Sequence, residues 1–171
     1  SLAETDLGHL HRVLSAKALG GLALVEALAA YPSCALITFS SVSAIFGGSG
    51  VASYAAANAA LDAIAASQAG DGRRRVLNLA WSMWDEIGMS RGFAMKEATR
   101  NAGFHIIKPE QALLSLVAFL GGRGQFIVGL DAASPKIRPW FLGARRGLQA
   151  LTGFYQAKHG REDDVIPPGA F

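Results

Sequence analysis

Apolar positions recur at helical spacing through the first thirty residues. Leu10, Leu14, Lys17, Gly21, Leu24 and Leu28 fall on one stripe, the spacing of a packed helical face. Thr5 and Asp6 stand ahead of it as caps, which predicts a helix from about His9 to Ala30. Tyr31-Pro32-Ser33 stops that helix, and the pattern then changes. Ala35 to Phe39 is a short apolar run with β-branched residues, the mark of a buried strand. Ser40, Ser41 and Ser43 follow where the strand should end, and the glycine-rich loop Gly47-Gly48-Ser49-Gly50 comes next. From Tyr54 to about Gln68 an alanine-rich helix carries Leu61, Ile64 and Ala65 on one side and stops in Ala69-Gly70-Asp71-Gly72. Arg75 to Ala80 reads as a second buried strand. Strand, helix, strand implies a parallel sheet with a right-handed crossover. Lys108-Pro109-Glu110-Gln111 opens a helix to about Leu120, and Gln125 to Gly129 is the last strand. The fold class is α/β, a parallel sheet flanked by helices in three layers.

Several positions break this pattern. Lys17 lies on an apolar stripe, where an ammonium needs either a partner or a path to water along its own stem. Gly20-Gly21 in mid-helix costs roughly 1 kcal/mol per glycine relative to alanine, which close approach of a neighbouring element would explain. Tyr54 and Asn58 are four apart and share a helix face. Ser41 stands at the carboxyl end of its strand, where reactive groups gather in open α/β sheets.

These residues carry a family resemblance. The stretch from Leu36 to Asp62 resembles the ketoreductase domains of modular polyketide synthases and related megasynthases, within the short-chain dehydrogenase/reductase superfamily. Those domains use a Ser, a Tyr thirteen residues later, an Asn four after the Tyr and a Lys twenty-four before the Ser. Here those places hold Ser41, Tyr54, Asn58 and Lys17, inside SSVSAIFGG and YAAANAALDA. Simpler short-chain reductases have Lys four after the Tyr, so the Lys/Asn exchange is of the polyketide type. Trp81-Ser82-Met83-Trp84 with Gly88-Met89 resembles the family's W-G-x-W...G-M segment, with Ser82 in place of glycine. The family uses that region beside nicotinamide and substrate, although a packing role for Trp81 and Trp84 fits the sequence equally.

The resemblance implies a Rossmann-like fold and a chemistry. Hydride transfer to a ketone builds negative charge on the carbonyl oxygen, which must end protonated. Tyr54 would donate the proton and Ser41 a hydrogen bond to the same oxygen. A free tyrosine titrates near 10, so a neighbouring cation eases the loss of its proton. Lys17 would supply that cation and hold the nicotinamide ribose, and Asn58 would fix Lys17 through a water or a backbone carbonyl. Tyr54 and Trp81 join Lys17 as cofactor contacts. Phe46, Gly47, Trp84, Met89 and Phe93 are the candidates for the substrate pocket and its lid, and the Ser90–His105 stretch, which holds Phe93, reads as a mobile cover. The family usually takes NADPH. One stereochemical type places Trp where this chain has Phe46, so the configuration of the product alcohol stays open.

Composition narrows the setting. The chain has 171 residues, 51% hydrophobic and 17% charged, enough for one core and too apolar for disorder. Between Glu26 and Asp62 no residue is charged, but Pro32, Asn58 and many serines and glycines make that run a buried core rather than a membrane span. A net charge of +3 gives no nucleic-acid-like patch. Arg73-Arg74-Arg75 and Arg145-Arg146 read as solvated basic clusters, or as contacts for an acidic carrier protein. Cys34 is the only cysteine and is expected to be a buried thiol. His9 and His11 have no ligand partners at metal-binding spacing, so no metal is expected. No signal-peptide layout opens the chain, which predicts a cytoplasmic protein.

No G-x-G-x-x-G turn follows a strand near the start, so the phosphate-binding βαβ unit is expected in an upstream half. Residues 1–143 then form the carboxyl-terminal part of the catalytic domain, and 144–171 a helix and linker. The expected activity is NADPH-dependent reduction of a β-ketoacyl thioester carried on the phosphopantetheine arm of an acyl carrier protein. The alternatives are reduction of an α-ketoacyl thioester on the peptidyl carrier of a nonribosomal synthetase, and a catalytically silent scaffold.

Overall fold

A computed structural model describes residues 6–92, 96–131 and 133–139. Three parallel strands stand side by side in the order β1 (Leu36–Ser41), β2 (Val76–Trp81) and β3 (Gly124–Val128). Leu36 is in register with Val76 and Ser41 with Trp81, so the two strands end level. The described residues form two compact units: residues 6–81 with 123–128, and residues 82–92 and 96–122 with 129–131 and 133–139.

In the first unit the leading helical rod runs over Leu7–Ala30. Asp6 caps α1 (Leu7–Leu14), its carboxylate accepting from the backbone N–H groups of Gly8 and His9. A π-turn over Ser15–Leu19 follows, then α2 (Gly20–Ala27) and a short 3-10 turn, Leu28–Ala30. By length and hydropathy alone the rod could cross a membrane. Its packing makes it a layer of the fold instead. Val25 and Leu28 pack on the buried cluster of Leu36, Ala65 and Val76. A Cβ on Gly21 would stand 3.1 Å from Ile64 Cδ1 and 3.3 Å from Leu61 Cδ1, which is the close approach the sequence called for. Gly20 meets only its own helix. The inward stripe also differs at one place: Leu24 is exposed, and Val25 packs inward instead. Gly21 and Leu28, both beyond the π-turn, keep their inward places.

The stretch Ala52–Gly70 is one helix, α4, which buries Ala57, Asn58, Leu61 and Ala65. Before it, Ser43–Phe46 forms the one-turn helix α3, where a plain loop was expected. Strand β1 runs two residues beyond the apolar segment, because Ser40 and Ser41 still pair with β2. All six residues of β2 are buried, whereas Phe39 of β1 is 40% exposed, so β1 is not a wholly buried strand. Cys34 is exposed, against expectation. It lies in the turn before β1, outside the strand whose burial would have covered it.

In the second unit, α5 (Lys96–Asn101) lies inside the stretch expected to be irregular. Helix α6 (Pro109–Phe119) starts at Pro109 as predicted, with Gln111 Oε1 accepting from the Lys108 N–H at 2.7 Å. Gly129 is required where it stands: its φ is +92°, and a Cβ there would come within 2.7 Å of Ser82 Cβ. The segment 144–171 lies outside the described residues, as does Phe93.

Candidate active site

The carboxyl end of β1 and the first turns of α4 bring Lys17, Tyr54 and Asn58 into one linked arrangement, with Ser41 the last residue of that strand. Lys17 Nζ reaches from the π-turn and donates to the backbone oxygen of Phe39 at 2.6 Å. The next residue, Ser40, turns its hydroxyl to the Asn58 carbonyl at 3.5 Å. Asn58 in turn donates its amide to the Tyr54 carbonyl at 2.8 Å, one turn back in α4. Lysine, asparagine and tyrosine are thereby tied to the end of one strand. Lys17 is half-buried rather than snorkelled to water. Burial pushes its ammonium below the ordinary lysine value, and the Asp62 carboxylate pulls the other way.

Ser41 is buried, and its Oγ accepts twice from Ser43: from the backbone N–H at 3.2 Å and the hydroxyl at 2.9 Å. With both bonds received, its own O–H proton is left to donate elsewhere. Asn58 is fully buried, and its Oδ1 takes no donor among the described residues. That buried oxygen is an acceptor in reserve. Tyr54 is half-buried in the first turn of α4.

The remaining candidates are more scattered. Trp81 is buried at the end of β2 and stacks on Phe39 with ring centroids 5.6 Å apart. Phe46 is half-buried at the end of α3, and Gly47 follows it with φ +69°. In the second unit, Trp84 pairs as an isolated bridge with Ile107, and Met89 lies in a 3-10 turn over Gly88–Ser90. Ser90 donates to the carbonyls of Trp84 and Ile87, bracing that turn. Lys96 bridges Asp85, at 2.7 Å, and Glu86.

Two supporting features were given no role in the sequence reading. Ser43 had a visible signal, a serine two places after Ser41 where a strand gives way to a helix. Asp62 also had one, four residues beyond Asn58 on the same helix.

Comparison with known proteins decides the family. The KR domain family model matches residues 1–86, half of the chain. The chain belongs to the ketoreductase-domain family. A pikromycin polyketide synthase component, PikAII of Streptomyces venezuelae, is 36% identical over 151 residues, 85% of this chain and 4% of that protein. An A-type ketoreductase from a modular polyketide synthase superposes with a TM-score of 0.68 at 32% identity, covering 75% of this chain and 27% of that one. A ketoreductase within a keto acid-selecting nonribosomal synthetase module superposes at 0.74 with 28% identity, covering 87% of this chain and 12% of that one. The chain thus spans a small part of each relative's length. Ketoreductase domains are oxidoreductases of the short-chain dehydrogenase superfamily and generally work with a nicotinamide cofactor. The Rossmann-like parallel sheet expected from the sequence agrees with these structures.

Proposed function

We propose that this ketoreductase segment reduces a β-ketoacyl thioester, carried by an acyl carrier protein, to the β-hydroxyacyl thioester with NADPH, in the cytoplasm. The observation that carries the reading is the Lys17–Phe39 hydrogen bond, continued through Ser40 and Asn58 to Tyr54. It joins a cation to the backbone beneath a candidate proton donor.

The residues present suit the nicotinamide end of such a cofactor. Lys17 spends one of its donors on Phe39 and has two left for ribose hydroxyls. Tyr54 and Trp81 complete that contact. The bound cofactor supplies the hydride. Ser41 donates its free O–H to the ketone oxygen, and Tyr54 delivers the proton that oxygen needs as charge develops. The Lys17 ammonium stabilises the tyrosinate left behind, and the buried Oδ1 of Asn58 accepts from the relay that restores the proton. By the family resemblance, Phe46, Gly47, Trp84, Met89 and Phe93 are the residues assigned to the acyl substrate.

Nothing among the described residues suits a pyrophosphate in the same way. Gly47 to Gly50 stand between the short helix α3 and α4 instead of joining a strand directly to a helix. We assign that task to an upstream half, with residues 1–143 as the carboxyl-terminal part of the domain and 144–171 as the connection onward.

A second reading, reduction of an α-ketoacyl thioester on a peptidyl carrier, draws support from the likeness to the nonribosomal ketoreductase. Offering matched β-keto and α-keto thioesters to the chain joined to its upstream half, with NADPH or NADH, separates the two. Preference for the β-keto substrate with NADPH supports the first, and preference for the α-keto substrate overturns it in favour of the second. A silent scaffold has no use for the four polar residues together, and failure to bind NADPH, with no turnover of either ketone, would favour it.

A further inference from the structure

Thr38 and Asn78 are registered partners on β1 and β2, both buried, two places along from the buried pair Leu36 and Val76 on the same face of the sheet. Polar groups placed there are costly unless hydrogen-bonded, and an apolar pair would fill the same space. Thr38 Oγ1 donates to Asn78 Oδ1 at 2.8 Å, which fixes the amide so that its Nδ2 points the other way. That Nδ2 donates to Asp62 Oδ1, again at 2.8 Å. The chain of bonds therefore ends on a half-buried carboxylate.

Asp62 lies one turn beyond Asn58 on α4, next to Leu61, which packs against the leading helix at Gly21. Gly21 is one turn beyond Lys17. The groups around Lys17 can be named element by element. Helix α4 brings Tyr54 and Asp62, while β1 and β2 carry no ionisable side chain. On its own helix the neighbours one turn away, Val13, Leu14, Gly20 and Gly21, are uncharged.

We propose that Asp62 is a positioning residue for Lys17, a carboxylate aimed by the Thr38–Asn78 pair so that its charge holds the ammonium in place. Helix α4 packs against the π-turn that carries Lys17, and among the described residues Asp62 is the charge that opposes the effect of burial on that lysine. The inference rests on the reading of Lys17 and Tyr54 given above. Without Asp62, burial acts on Lys17 unopposed. The amine then loses its proton at lower pH, and Tyr54 loses its neighbouring cation there.

Asp62→Asn separates this role from anchoring, because Asn still accepts from Asn78 while the charge is gone. Two quantities are followed in the intact domain: the pH midpoint of Lys17 trace acetylation, read by mass spectrometry, and the alkaline limb of the kcat profile. In Asp62→Asn both should move to lower pH, kcat should fall several-fold, and Asp62→Glu should restore both midpoints. Unchanged midpoints with only a lower Tm would overturn the proposal. Should Asp62→Asn fail to fold, Asp62→Ala combined with Thr38→Val and Asn78→Leu removes the charge together with its polar partners, so that no buried amide is left unpaired, and the acetylation midpoint is read in the same way. The acetylation midpoint decides even without turnover, so its outcome is separate from that of the reductase reading, which Tyr54→Phe tests.

Discussion

Lys17 Nζ lies 2.6 Å from the Phe39 carbonyl oxygen, across 22 residues of sequence. The bond lets a half-buried lysine end on the last turns of a strand instead of in solvent, and it is made from inside a π-turn. Such turns are often found at functional sites, because the extra residue re-aims a side chain.

Burial holds the Lys17 ammonium below its ordinary value despite Asp62, and this has a stability consequence. Between the lowered folded value and the unfolded value of 10.5, the unfolded chain binds more protons. Stability therefore rises with pH across that window. The cost of the buried charge is fully present at neutral pH and disappears above the unfolded value. Denaturant titrations should show this rise in the native protein and lose it in Lys17→Met. Lys17→Met should also fall about a hundredfold or more in kcat.

Ser43 is expected to act through Ser41. Ser43→Ala removes the hydroxyl bond but keeps the backbone one, so kcat should fall about threefold to tenfold, the worth of one hydrogen bond. Ser41→Ala should fall about a hundredfold, as for a lost donor to a developing oxyanion. Steady-state rates for the two variants side by side check the order.

The adjacent glycines should behave differently. Gly20→Ala should stabilise by roughly 0.5–1 kcal/mol, since its Cβ meets nothing beyond its own helix. Gly21→Ala should lose that gain, because its Cβ presses on Leu61 and Ile64. Thermal melts of both variants decide; equal gains would mean that the two helices separate easily.

The sequence was most legible where one period ran unbroken. Six buried positions in a row made β2 plain, and Pro109 marked the start of α6. The four candidate site residues stood out because they match the offsets of the Lys, Ser, Tyr and Asn that the resembling family uses. Boundaries failed where side-chain type and backbone pairing disagree: Ser40 and Ser41 look like loop residues yet pair with β2. Leu24 was misplaced because helical spacing between Gly21 and Leu28 fits Leu24 and Val25 equally, and only packing shows that Val25 is the one turned inward. The Thr38–Asn78 pair hid for another reason. A polar residue in an apolar strand shows its purpose only when register places its partner opposite.

The central claim is that Tyr54 delivers the proton to a reduced ketone. It is tested most directly by NADPH consumption in the intact domain with a β-ketoacyl thioester, comparing the native protein with Tyr54→Phe. The account predicts steady turnover for the native protein and a loss of about a hundredfold or more in Tyr54→Phe, with NADPH still bound. Turnover in Tyr54→Phe at the native rate would contradict it.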